Sequence, residues 1–163
     1  MKDNLRENPD LDALLIEAME SEVKAKEFYL DASEKAQSQA GKKFFQELAD
    51  FESNHYKRVK RIIDMRKTPE KLRNLSSEKE MHLVNAEIEG EFEPNKDEIV
   101  QVIHLAIKAE KNAQQRYRKI ADLFIDKKEK QIFERLAEEE RNHQTMLENQ
   151  FYHMSNKGTI IWE

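Results

Sequence analysis

Cysteine is absent from the 163-residue chain, and glycine and proline occur three times each. Without cysteine there is no disulfide framework, thiolate nucleophile, zinc–thiolate site, or iron–sulfur or rubredoxin-type centre. Any metal is then held by nitrogen and oxygen donors, and any redox reaction draws its electrons from outside the chain. So few chain-breaking residues exclude a fold built on tight turns and leave long helices as the expectation. Long apolar runs are also missing. No stretch approaches the roughly 20 apolar residues of a membrane helix, and the polar start, residues 1–8, lacks the apolar core of a secretory signal. A soluble, cytoplasmic protein is expected. Neither charge sign dominates: 28 Lys and Arg against 33 Asp and Glu give a net charge of −5. The two signs are interspersed, which argues against nucleic acid or an acidic membrane as a partner.

What is present is periodic. The length suits one domain over residues 1–163, with a core at 10–151. Apolar residues stepping by three and four mark four helices. The first opens at Asn8-Pro9-Asp10 and runs to about Gln39, with Ala40-Gly41 as a short turn. The second runs from Lys42 to Arg66 and stops before Thr68-Pro69. Residues 67–94 form a crossover, expected to hold a short helix near Pro69–Lys79 and then an extended acidic piece ending at Pro94. The third starts at Asn95 or Asp97 and reaches Ile125; Asp126 caps a fourth from Lys127 to Phe151. A tail, 152–163, ends in the apolar Thr159-Ile160-Ile161-Trp162 and is expected to pack on something. The fold class is all-α, two helical hairpins forming a four-helix bundle.

The halves repeat at an offset of 88 residues. Ala18 pairs with Ala106, Glu22 with Glu110, Ala25 with Ala113, and Tyr29 with Tyr117. Phe45 pairs with Phe133, Leu48 with Leu136, Glu52 with Glu140, and His55 with His143. A duplicated hairpin explains this.

Charged groups interrupt the apolar stripes. The first stripe reads Leu15, Ala18, Glu22, Ala25, Tyr29, Ala32, Ala36, and the second Phe45, Leu48, Glu52, His55, Val59, Ile62. The third reads Ile99, Ile103, Ala106, Glu110, Ala113, Tyr117, Ile120, Phe124, and the fourth Phe133, Leu136, Glu140, His143, Leu147. Burying an unpaired carboxylate costs several kcal/mol, and a domain is stable by only about 5–15 kcal/mol. Four such groups on facing stripes need positive charge among them, and bound cations supply it most directly. Heights agree. In an antiparallel hairpin, residues level with one another are equidistant from the turn. Glu22 against Glu52–His55 puts that turn near residue 38, and Glu110 against Glu140–His143 puts it near 126.

Glu-x-x-His places two donors on one helical face. Of the five histidines, only His55 and His143 have a Glu three residues before them. Two such pairs, with Glu22 and Glu110 as bridges, make four carboxylates and two imidazoles, a set suited to two metal ions. Iron or manganese fits these hard donors, and zinc is an adventitious alternative. Tyr29 and Tyr117, seven residues beyond Glu22 and Glu110, are placed to orient the ligands from behind or to fill the core.

Glu22-Val-Lys-Ala-Lys-Glu-Phe-Tyr29, Glu52-Ser-Asn-His55, Glu110-Lys-Asn-Ala-Gln-Gln-Arg-Tyr117 and Glu140-Arg-Asn-His143 resemble the rubrerythrin branch of the ferritin-like superfamily. The resemblance covers roughly residues 10–151. It implies a ferritin-like bundle with a non-haem di-iron site, and a homodimer or larger assembly. It also implies reduction of hydrogen peroxide, with electrons from an external donor such as a rubredoxin-type protein, or oxidation of ferrous iron by dioxygen. Two departures stand out. There is no Cys-rich donor domain, and Ala113 occupies the place of an extra Glu that takes part in redox-linked iron movement in rubrerythrins.

Three functions follow. One is a dimetal peroxidase, another a ferroxidase that handles iron, and the third a metal-stabilised scaffold without catalysis. His82, His104 and His153 lack repeat partners and read as surface or packing residues. The run Tyr56-Lys-Arg-Val-Lys-Arg61 reads as a solvated helix face.

Overall fold

The computed structural model describes residues 9–67 and 88–162. Four helices, α1 (Pro9–Lys35), α2 (Gln39–Arg66), α3 (Lys96–Leu123) and α4 (Lys127–Lys157), form an all-α bundle. A two-stranded antiparallel ribbon, β1 (Ile88–Phe92) with β2 (Thr159–Trp162), is added to it. The helices pack as two hairpins, α1 on α2 and α3 on α4, joined where α1 meets α3. The short helix expected near Pro69–Lys79 and His82 both lie outside the described residues.

Each stripe faces inward. All of its members are buried except Ala25 and Ala113, which are half-buried. The apolar members collect into two separate cores. One lies toward the α1–α2 turn and includes Ala32, Phe45, Leu48, Ile103 and Leu147. The other lies toward the α3–α4 turn and includes Leu15, Val59, Ile62, Ile120 and Phe133. Each fully buried Leu, Ile or Phe contributes roughly 1.5–3 kcal/mol, so both ends of the bundle add apolar stabilisation on either side of what lies between them.

The first turn falls at residues 36–38, where equal heights placed it, and not at Ala40-Gly41. Ser38 is the reason: it takes an extended conformation (φ −76°, ψ 148°), and its hydroxyl accepts from the Gly41 amide, starting α2 early. Gly41 is thus a helical residue chosen for closeness. A Cβ there would lie 2.8 Å from Ser38 Oγ and 3.3 Å from Glu93 Oε1. At the second turn α3 stops at Leu123 rather than Ile125, because Phe124 is extended (ψ 136°). Asp126 caps α4 as expected, accepting from the amides of Lys128 and Glu129. α4 then continues past Phe151 to Lys157 and ends at Gly158, whose left-handed φ of 67° suits glycine.

The tail does pack, and it packs on the acidic segment before Pro94. Glu91 faces Ile160 across the ribbon, Phe92 faces Thr159, and Ile160 is buried. Gln150 brackets the backbone N–H and C=O of Ile161. The ribbon in turn closes the start of α2. Glu93 accepts from the amides of Gln37 and Ser38, and Glu91 from those of Gln39 and Ala40. These N–H groups have no partner within the helix, and carboxylates there also meet the positive end of its dipole. Glu93→Ala leaves two of these amides without their acceptor. The expected loss is about 1–3 kcal/mol, seen as a lower denaturant midpoint at unchanged slope and unchanged metal content.

Candidate metal centre

Between the two apolar cores, all four helices turn polar side chains toward one another at one level. α1 contributes Glu22, α2 contributes Glu52 and His55, α3 contributes Glu110, and α4 contributes Glu140 and His143. None is more than 3% exposed. His55 Nδ1 lies 2.5 Å from Glu140, 3.6 Å from Glu22 and 3.8 Å from Glu52. His143 Nδ1 lies 3.2 Å from Glu52, 3.6 Å from Glu110 and 3.7 Å from Glu140. The two rings stack, with centroids 5.6 Å apart.

These contacts resolve into two groups, each with one imidazole and three carboxylates. One is Glu22, Glu52, His55 and Glu140; the other is Glu52, Glu110, Glu140 and His143. Within a group the candidate ligand atoms lie within 4.8 Å of one another. The shared members are Glu52 and Glu140. This corrects the sequence expectation that Glu22 and Glu110 bridge. Those two sit on the neighbouring α1–α3 pair, each beside one histidine, whereas Glu52 and Glu140 come from α2 and α4 and reach both.

Ionised carboxylates at such separations repel by roughly 3–4 kcal/mol per pair at an effective dielectric near 20. The site also holds buried polar atoms without hydrogen-bond partners: Glu22 Oε2, Glu52 Oε1, Glu110 Oε2, Glu140 Oε1, and Nδ1 of both histidines. Unpartnered atoms of six side chains converging on two spots, all oxygen or imidazole nitrogen, are what two cations would satisfy. The residues fit such a group.

Protons are the alternative counter-charge. Burial, then the charges of Glu140, Glu22 and Glu110, push the Glu52 carboxyl well above its ordinary range. Burial and Glu140 do the same to Glu110. For His55, burial opposes the charged form, but the facing Glu140 and Glu22 raise its pKa well above the usual value. For His143, Glu110 likewise outweighs burial. Glu140 moves the other way: burial raises it, but the positive charge of His55, with Glu110 and His143 close by, holds it well below.

The tyrosines cross between halves. Tyr29 of α1 donates to Glu110 Oε1 at 2.6 Å, and Tyr117 of α3 donates to Glu22 Oε1. Burial followed by the nearest carboxylate, Glu110 for Tyr29 and Glu22 for Tyr117, raises both phenols well above 10.0. They therefore remain O–H donors that fix the orientation of these two carboxylates.

Two residues of the site escape the sequence reading. Arg58, placed there on a solvated face, is buried and donates to Glu139 at 2.9 Å. Glu139 Oε1 lies 3.5 Å from His55 Nε2. The 88-residue repeat sets Phe51 against Glu139 and Met146 against Arg58, but it also fails at many exposed positions and so does not single these two out. Of the unpaired histidines, His104 is exposed beside the Phe151 ring and His153 is half-buried against Tyr152. Neither joins the site.

A cavity of about 320 Å³ runs between α1 and α3 down to Glu22, Glu52, Glu110 and Glu140. The half-buried alanines, Ala25 and Ala113, open it, and Lys24 and Arg116 also line it.

The family model for rubrerythrin matches residues 13–150. A solved structure, a hypothetical protein from Pyrococcus furiosus, is 28% identical over 90% of each chain with a TM-score of 0.69. No curated protein matches the chain. Among the described residues, no helix is long and apolar enough to cross a membrane.

The pKa directions make a test. A group whose pKa is raised by folding stabilises the fold below its unfolded value, and that stability is lost as pH rises through the raised value. His55, His143, Glu52 and Glu110 are of this kind. Glu140 acts oppositely, but its contribution is complete well above 4.5. Metal-free protein is therefore expected to melt at progressively lower temperature as pH rises above 6.5. Metal-loaded protein, with those protons displaced, is expected to hold its melting temperature. Thermal unfolding with and without metal checks both, and a metal-free melting point that climbs with pH contradicts the burial argument.

Proposed function

The chain belongs to the rubrerythrin family, and on that premise we propose that it is a di-iron oxidoreductase that reduces hydrogen peroxide. Glu22, Glu52, His55, Glu110, Glu140 and His143 hold the two ions, with Glu52 and Glu140 shared. The observation that carries this reading is the pair of buried four-residue groups meeting in two common carboxylates. Three oxygens and one nitrogen per position favour iron or manganese over zinc, which prefers nitrogen and sulfur.

When bound, two ferrous ions supply the two electrons that, with two protons, convert one peroxide to two waters. The chain's own groups set the conditions. Tyr29 and Tyr117 keep Glu110 and Glu22 aimed, and the two apolar cores close the site above and below. The α1–α3 cavity admits a small oxidant to the carboxylates. With no cysteine to make an electron-transfer centre, re-reduction falls to an external donor such as a rubredoxin-type protein. Ile16, Val23 and Leu30 recur every seven residues along the exposed side of α1, a stripe that suits self-association into a dimer.

A second reading is ferrous-iron oxidation with dioxygen. It draws on Ala113, which keeps the cavity open toward Glu110 for an incoming ion. Lys24 and Arg116 line the same cavity but are outnumbered by its four carboxylates, so its charge does not separate the two readings, and the iron retained after turnover does.

Anaerobically iron-loaded protein mixed with peroxide in a stopped-flow instrument is expected to oxidise at least 100-fold faster than a Glu52→Ala, Glu140→Ala variant, a ~3 kcal/mol difference in barrier. Equal rates remove the peroxidase reading. Retention of about two irons per chain after turnover supports it, and retention of many favours iron handling.

A further inference from the structure

The geometry points to Glu139 and Arg58 as positioning residues that make the two metal positions unequal, the one at His55 binding its ion more tightly than the one at His143. This rests on the reading that the six residues hold metal. The duplicated hairpins supply an internal control, because everything that touches the ions is repeated and what stands behind the histidines is not.

His55 turns Nδ1 toward the carboxylates, and its Nε2 faces Glu139 Oε1 at 3.5 Å. Neither ring nitrogen has a hydrogen-bond partner, and at this distance Nε2 makes a long contact. Glu139 is held there by Arg58, whose Nη1 lies 2.9 Å from Oε1 and 2.8 Å from Oε2; the same nitrogen donates to Asn54 at 3.3 Å. Arg58 thus neutralises a buried carboxylate that would otherwise be costly, and keeps it facing the ring rather than the ions. At the other half, the residue equivalent to Glu139 is Phe51, whose ring meets the His143 ring edge-on at 4.8 Å. Met146 replaces Arg58, and among the described residues no carboxylate pairs with His143 Nε2.

A carboxylate accepting from the far nitrogen of a ligating imidazole fixes its tautomer and ring angle and makes the near nitrogen a better donor. Loss of such a partner costs about 10–100-fold in metal affinity. Phenylalanine supplies packing but no acceptor.

The test is anaerobic titration of the full-length metal-free protein with cobalt(II), followed by calorimetry and visible absorption. Wild type is expected to take up about two ions in two steps of unequal affinity. Glu139→Gln, nearly the same size, and Arg58→Met, copying the other half, should each weaken the tighter step about 10–100-fold and leave the weaker one in place. A residue that only supported the fold would shift both steps together. Two identical steps in wild type, or variants that move both steps or neither, overturn the inequality while the metal site stands. No cobalt uptake by wild type overturns the metal reading and this inference with it.

Discussion

Four carboxylates and two imidazoles buried at one level of a helical bundle form the constraint around which the rest is arranged. Mutual repulsion of several kcal/mol rivals the net stability of a domain. The bundle answers it with separate apolar cores above and below the polar layer. The remaining imbalance is met by protons or cations. That exchange links the fold to its chemistry, because whatever neutralises the layer also decides whether the imidazoles carry protons or offer lone pairs.

Duplication gives the layer its symmetry, and divergence breaks it in one place. Each hairpin brings one Glu, one Glu-x-x-His pair and one Tyr, and each Tyr reaches the opposite hairpin's Glu, so neither half completes its site alone. Outside that set the halves differ at many positions, among them Glu139 against Phe51 and Arg58 against Met146. Both departures fall behind a buried histidine, where a change alters how the ring is held without altering the ring itself.

The ribbon shows the same economy at the end of the bundle. Glu91 and Glu93 spend their charge on the open amides at the start of α2, and Ile160 closes over the first core. Gly41 admits Ser38 and Glu93 to the same spot. A residue that looks like a turn marker in one dimension turns out to be a clearance, because closeness of Glu93, 52 positions away, cannot be read from neighbours in sequence.

The order of residues by itself determined the four helices, the six polar positions on their buried faces and the height at which they meet. Helical period and distance from a turn are local quantities, and the repeat doubled the evidence for each. Only the tertiary structure decided which carboxylates are shared, since that depends on which helices face one another across the core. It also decided that Tyr29 and Tyr117 cross to the other hairpin, that the tail pairs with the segment before Pro94, and that Arg58 turns inward. Glu138, Glu139 and Glu140 are three identical residues in a row. Their different fates, solvent for the first, the back of His55 for the second and the centre of the site for the third, follow from a 100° rotation per residue against neighbours contributed by another helix.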